Sequence, residues 1–144
     1  MKRISEQLNP VVDPNMNFVN PLSPALIVDD EKDICYLLNS ILRRKQIHAQ
    51  LAGSLAEAEK VIEKQSPSLI FLDNHLPDGL GLEYIQKLKH ANPRARIVMI
   101  TAHDNASERE KAYQEGADYF ISKPFTKDVI YRTLEQFERN KTVE

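Results

Sequence analysis

The chain has 144 residues, 42% hydrophobic and 28% charged, with a net charge of -2. That suits a single globular domain with a buried core, and its balance gives no reason to expect nucleic acid or an anionic membrane as a partner. The lone Cys35 excludes an internal disulfide, and no apolar stretch approaches the ~18 residues of a membrane span. Lys2 and Arg3 are followed by polar residues and prolines rather than a signal-peptide core, so the default location is the cytoplasm.

Pro10, Pro14, Pro21 and Pro24 make up half of the 8 prolines, and their crowding predicts an extended arm or linker over residues 1–23. Val11, Val12, Met16, Phe18 and Val19 give that arm apolar groups with which to dock. A folded domain is expected over 24–140, with 141–144 as a short tail.

From Pro24 the elements alternate. Ala25-Leu26-Ile27-Val28 is a short apolar run ending in acids, as expected of a buried parallel strand. Ile34, Leu37, Leu38, Ile41 and Leu42 then repeat at helical spacing, with Cys35 on the same apolar side as an inert thiol. Arg43, Arg44 and Lys45 close that helix, where they complement its dipole. Ile47 to Ala52 reads as a second strand. Ser54 and Glu57 form a capping box before a second helix, with Leu55, Ala58, Val61 and Ile62 inward.

Leu69-Ile70-Phe71-Leu72 is a third buried strand ending at Asp73. Pro77-Asp78-Gly79 is turn chemistry, followed by a helix with Leu82, Ile85 and Leu88 inward. Ile97 to Ile100 forms a fourth strand ending at Thr101. Asp104 or Asn105 caps the next helix, which reaches about Gly116. Tyr119-Phe120-Ile121 is a fifth strand, closed by Lys123-Pro124, and the last helix turns Val129, Ile130, Thr133, Leu134 and Phe137 to one side. Five strands alternating with five helices predict a parallel sheet covered on both faces, with ligands at the carboxyl edge.

The strand ends deliver Asp29 and Asp30, Asp73, Thr101 and Lys123 to that edge. Each alone has an ordinary structural reading: a helix cap, a turn residue, a solvated surface charge. The joint pattern, a polar group directly after each apolar strand, is what carries weight. Three clustered carboxylates repel unless a cation joins them, and hard oxygen ligands suit Mg²⁺. A lysine and a hydroxyl opposite would hold phosphoryl oxygens, making a charge clamp for phosphoryl transfer.

Residues 24 to about 140 resemble the CheY-like receiver domain of two-component response regulators. The resemblance rests on Leu26 to Glu31, Leu69 to Asp73, Leu76 to Gly79, Ile100 to Ala102, Gly116-Ala117 and Lys123-Pro124-Phe125. It implies a flavodoxin-like three-layer sandwich with strand order 2-1-3-4-5. It further implies that Asp73 is the phosphoacceptor, and that Asp29, Asp30, Asp73 and the backbone carbonyl of His75 hold Mg²⁺. Thr101 would move to the phosphoryl oxygens, Lys123 would pair with them, and Lys123-Pro124 would be a cis peptide. Phe120 occupies the aromatic switch position, where the family often has Tyr; the phenol's hydrogen bond is lost.

His75 and His103 stand where the family varies, and both are expected near the entrance to the phosphoryl group, modulating its lifetime in a pH-sensitive way. The three carboxylates favour Mg²⁺ over a transition-metal site at this histidine pair. The implied partners are a sensor histidine kinase or histidine phosphotransfer protein and a downstream protein target. A homodimer through the fourth helix, fifth strand and fifth helix is also implied, with Asp118 and Arg132 as candidate charged contacts.

The expectation is a phosphorelay signalling module rather than an enzyme, with no direct nucleic-acid or membrane contact. The nearest alternative is the receiver portion of a larger DNA-binding transcriptional regulator. A haloacid-dehalogenase phosphohydrolase would need an acid at position 75, and a flavodoxin would not place Asp29-Asp30-Glu31 against a flavin phosphate.

Overall fold

The computed structural model describes residues 20–103 and 105–143, with side chains to Arg139. Strand β1 (Ala25–Val28) is buried along its whole length, because helices cover both faces of the sheet. Helix α1 (Lys32–Arg43) buries Cys35, Leu38, Ile41 and Leu42. Leu37, expected on that stripe, is 46% exposed. At 100° per residue it falls outside the face that Cys35 and Leu38 define. Gln46 ends the helix in the left-handed region at φ 58, a role more often given to glycine. Ile47 is buried but lies in this turn, and strand β2 runs only over Ala49–Ala52.

The start of helix α2 (Leu55–Lys64) is tied down from two directions. Ser54 Oγ accepts from the Glu57 backbone N–H, while Glu57 Oε1 accepts from Gly53 rather than closing the box onto Ser54. The Asp78 carboxylate, from a distant loop, accepts from the N–H groups of Leu55 (2.9 Å) and Ala56 (3.0 Å). These are the orphan donors of a helix start, so Asp78 does more than shape its own turn.

Strand β3 (Leu69–Asp73) is wholly buried. It leads into a two-residue ribbon pairing His75 with Leu80, then a 3-10 turn (Gly81–Tyr84) that feeds helix α3 (Ile85–Ala91). Strand β4 is Arg96–Thr101, and helix α4 (Ala106–Glu115) is capped by Asn105, whose Oδ1 accepts from the Glu108 N–H. Asp104, the other candidate cap, lies outside the described residues. Strand β5 (Tyr119–Ser122) precedes a cis Lys123-Pro124 bond and helix α5 (Lys127–Val143).

The strands are parallel and ordered β2-β1-β3-β4-β5, the expected doubly wound arrangement. Alternation along the strands divides the core. Ile27, Phe71, Val98, Ile100 and Ile121 pack with Leu38 and Leu42 of α1 and Ile130, Leu134 and Phe137 of α5. Leu26, Val28, Ile70, Leu72, Ile97 and Met99 pack with Ala58 of α2, Ile85 and Leu88 of α3 and Ala112 of α4. The result is three layers with the carboxyl ends of the strands on one edge.

Residues 20–23, within the expected arm, pack on the domain: Leu22 joins the first core, and Asn20 Nδ2 donates to the Lys45 carbonyl at 2.8 Å. The apolar groups at 11–19 lie outside the described residues. No helix among the described residues is long and apolar enough to cross a membrane.

Candidate functional site

Strand register builds the site. Val28 is paired with Leu72, so Asp29 and Asp73 emerge side by side; Asp73 is paired with Ile100, which brings Thr101 to the same edge. Thr101 is paired with Ser122, and the Lys123 N–H donates to the Thr101 carbonyl at 2.8 Å. The polar groups that follow each apolar run are therefore neighbours because their strands are.

Asp29 and Asp73 are buried and Asp30 is exposed; one carboxylate oxygen from each lies within 4.8 Å of the others. The Lys123 ammonium sits among acids, 2.8 Å from Asp29 Oδ2, 2.6 Å from Glu31 Oε1 and 3.6 Å from Asp73 Oδ1. Its side chain is only 9% exposed. Burial opposes the charge, but the hydrogen bonds to Asp29 and Glu31 and the field of Asp73 outweigh it, and the pKa rises to about 12.

Asp73 shows the complementary strain. Burial first, then the charge of Asp29, push its carboxyl from 3.8 up to about 6, against the pull of Lys123 and the backbone N–H groups of Asn74 and His75. One lysine does not neutralise this cluster. Three hard oxygen donors with surplus negative charge fit a divalent cation of the Mg²⁺ kind, which tolerates water in its remaining positions.

Thr101 is fully buried, and its hydroxyl accepts from the His103 N–H at 3.1 Å. Phe120 is half-buried against the second core, with the Arg109 guanidinium 5.6 Å from its ring centre. His75 and His103 are exposed and their rings touch, with centroids 4.0 Å apart and planes at 48°.

Asp118 is engaged within its own domain. Its carboxylate accepts from the Ile97 N–H at 2.8 Å and pairs with Lys89 at 2.8 Å and Arg96 at 3.6 Å. These bonds hold the start of β4; Arg132 is exposed.

Sequence reasoning missed three participants. Glu31 is a third acid on Lys123, and its only sequence signal was its place after Asp29-Asp30. Asn74 is buried, accepting from Leu82 N–H through its side chain and from Gly81 N–H through its carbonyl, which folds the chain back behind Asp73. Gly81 is the position where that fold-back touches: a Cβ there would lie 2.3 Å from the Asp73 carbonyl oxygen. A side chain at 81 would force the backbone at the end of β3 to move.

Comparison with known proteins agrees with this geometry. Residues 25–135 match the family described as the response regulator receiver domain. The chain is 36% identical over 100 residues to the response regulator protein PilR of Pseudomonas aeruginosa, covering 69% of this chain and 22% of PilR. It is 33% identical over 118 residues to the transcriptional regulatory protein DpiA of Escherichia coli K12, covering 81% of this chain and 52% of DpiA. It thus spans from about a fifth to about half of these relatives' lengths. Among solved structures, the beryllofluoride-activated NtrC4 receiver domain dimer superposes with a TM-score of 0.75 at 34% identity, covering 78% of this chain and 93% of that one. An unbroken five-stranded parallel sheet, an acidic cluster with a buried lysine at its carboxyl edge, and a match through both ends of that sheet lead to one assignment: the chain belongs to the receiver domain family of two-component response regulators.

Proposed function

We propose that this receiver domain accepts a phosphoryl group on Asp73 and uses it to switch a protein-binding face. The observation that carries the reading is the buried Lys123 ammonium, 3.6 Å from Asp73 and backed by Asp29. A cation so enclosed is oriented toward the one place where phosphoryl oxygens would stand if Asp73 were the nucleophile.

In this reading an Asp73 oxygen forms a bond to phosphorus as the bond to the donor's imidazole nitrogen breaks, giving an acyl phosphate and a free imidazole that takes its proton from solvent. The donor is a phosphohistidine of a sensor histidine kinase or phosphotransfer protein. Asp29, Asp30, Asp73 and the His75 carbonyl would hold Mg²⁺, which when bound supplies charge neutralisation for the carboxylates and the incoming oxygens. Lys123 pairs with one phosphoryl oxygen and the Thr101 hydroxyl donates to another. Drawing Thr101 inward frees space for the Phe120 ring, which shifts the α4–β5–α5 face between two packings. His75 and His103 stand over the approach and limit the access of water. The chain is thus a stoichiometric phosphoacceptor that assists its own phosphorylation and dephosphorylation.

The outputs are protein contacts in the cytoplasm. Self-association is supported by the dimer described for the NtrC4 receiver domain, and its placement on α4–β5–α5 by Tyr113, 43% exposed on α4. A second reading, service as the receiver portion of a DNA-binding transcriptional regulator, is favoured by DpiA, a transcriptional regulatory protein of which this chain spans 52%.

Intact-mass measurement after treatment with acetyl phosphate and Mg²⁺ tests the core of the proposal. One phosphate adduct is expected, absent in Asp73→Ala. An unmodified wild type, or an adduct that survives the substitution, would sink it.

A further inference from the structure

The contact between His75 and His103 places a second pair of metal-ligating side chains beside the carboxylates. Three nearby carboxylates made a transition-metal site at the histidines look secondary. The fold, however, sets the two imidazoles against each other and outside the carboxylate group: Asp29, Asp30 and Asp73 form the one set of three convergent ligands among the described residues, and neither histidine belongs to it.

Both rings are carried on held backbone. His75 sits in the ribbon paired with Leu80, and the His103 N–H is bonded to Thr101 Oγ1 at 3.1 Å. Both side chains are exposed, so an ion could reach them without opening the core. With metal–nitrogen bonds of about 2 Å, two imidazoles on one tetrahedral ion have ring centres roughly 5 Å apart. The observed 4.0 Å contact needs the exposed rings to part by about an ångström. The adjacent acids supply a negative field that concentrates cations at this edge. Imidazole nitrogens prefer Zn²⁺, Ni²⁺ or Cu²⁺ where carboxylate oxygens prefer Mg²⁺, so the two sites sort their metals by ligand chemistry.

We infer that His75 and His103 chelate a borderline divalent transition metal, with water completing its shell, and that the bound ion gates the approach to Asp73. The gating half rests on Asp73 being the phosphoacceptor; the binding half does not.

Calorimetric titration with Ni²⁺, in saturating Mg²⁺ to fill the carboxylate cluster, tests the binding. The wild type is expected to bind one ion, His75→Ala and His103→Ala each to weaken it at least tenfold, and His90→Ala, at an exposed histidine outside both sites, to keep it within about threefold. No binding by the wild type, unchanged binding in the His75 and His103 variants, or an equal loss in His90→Ala would overturn the site. For the gate, the rate of mass-adduct formation from acetyl phosphate is compared with and without Ni²⁺. A drop of at least fivefold is expected in the wild type and none in the double histidine variant. Equal rates in the wild type despite bound Ni²⁺ would overturn the gate. Ni²⁺ binding in a chain that forms no adduct even without Ni²⁺ would overturn the Asp73 reading and with it the gate, leaving the ion site standing.

Discussion

Lys123 Nζ lies 2.6 Å from Glu31 Oε1 and 3.6 Å from Asp73 Oδ1, so the buried ammonium leans on an acid outside the carboxylate cluster. Glu31 is 59% exposed, which limits the strength of the pair to at most about 1 kcal/mol. If Lys123 must leave Glu31 to meet a phosphoryl oxygen, Glu31→Gln should speed acetyl-phosphate labelling by up to about fivefold. Lys123→Met should slow it more than tenfold. A time course by intact mass distinguishes these, and slower labelling in Glu31→Gln would count against the view of Glu31 as a competitor.

The raised carboxyl of Asp73 has a consequence for metal-free stability. Its folded pKa of about 6 exceeds the ordinary 3.8, so between those values the native state holds more protons than the unfolded chain. Stability is therefore lost as pH rises through this window, and above it the ionised carboxylate imposes its full penalty. In EDTA, Asp73→Asn should stabilise the fold at pH 7.5 by about 1–3 kcal/mol, and the gain should shrink toward pH 4. Urea melts at both pH values measure it; a destabilised variant at pH 7.5 would show that the cluster is already neutralised.

Gly81 tests how closely the site depends on its backing. A methyl group there would meet the Asp73 carbonyl oxygen at 2.3 Å and Leu72 Cγ at 2.9 Å, so the end of β3 must shift to admit it. Gly81→Ala should cost about 1–3 kcal/mol and slow labelling of Asp73 as well. Unaltered urea midpoint and labelling rate would mean that the 3-10 turn yields instead.

Cys35 should be chemically silent in the native protein. Burial, and then the charge of Asp29, lift its thiol from 9.0 to about 11, and its Sγ donates to the Asp29 carbonyl at 3.2 Å. At pH 8 the thiolate fraction is then roughly a hundredfold below that of a free cysteine. Iodoacetamide should modify the chain quickly in urea and very slowly without it; rapid native modification would show that the N-terminal turn of α1 opens.

The alternation of short apolar runs with helical stripes is a local property, and each run is visible within four to six residues of chain. So is the chemistry that follows it: Asp29, Asp30, Asp73, Thr101 and Lys123 announce themselves by standing directly after buried strands. Boundaries were less legible where a buried residue serves a turn. Ile47 is apolar and inward, yet it closes the end of α1 instead of extending β2.

The doubly wound sheet and the membership of its carboxyl edge follow from local sequence. Tertiary packing alone decided who touches whom there. Glu31 reaches Lys123 across 92 positions, Asp78 caps α2 from 23 residues away, and Asp118 is claimed by Lys89 and Arg96. His75 and His103 meet ring to ring only because β3 and β4 are neighbours. Periodicity records which face of an element is buried, whereas these contacts depend on how loops from adjacent strands fold over one edge, and no local pattern encodes that.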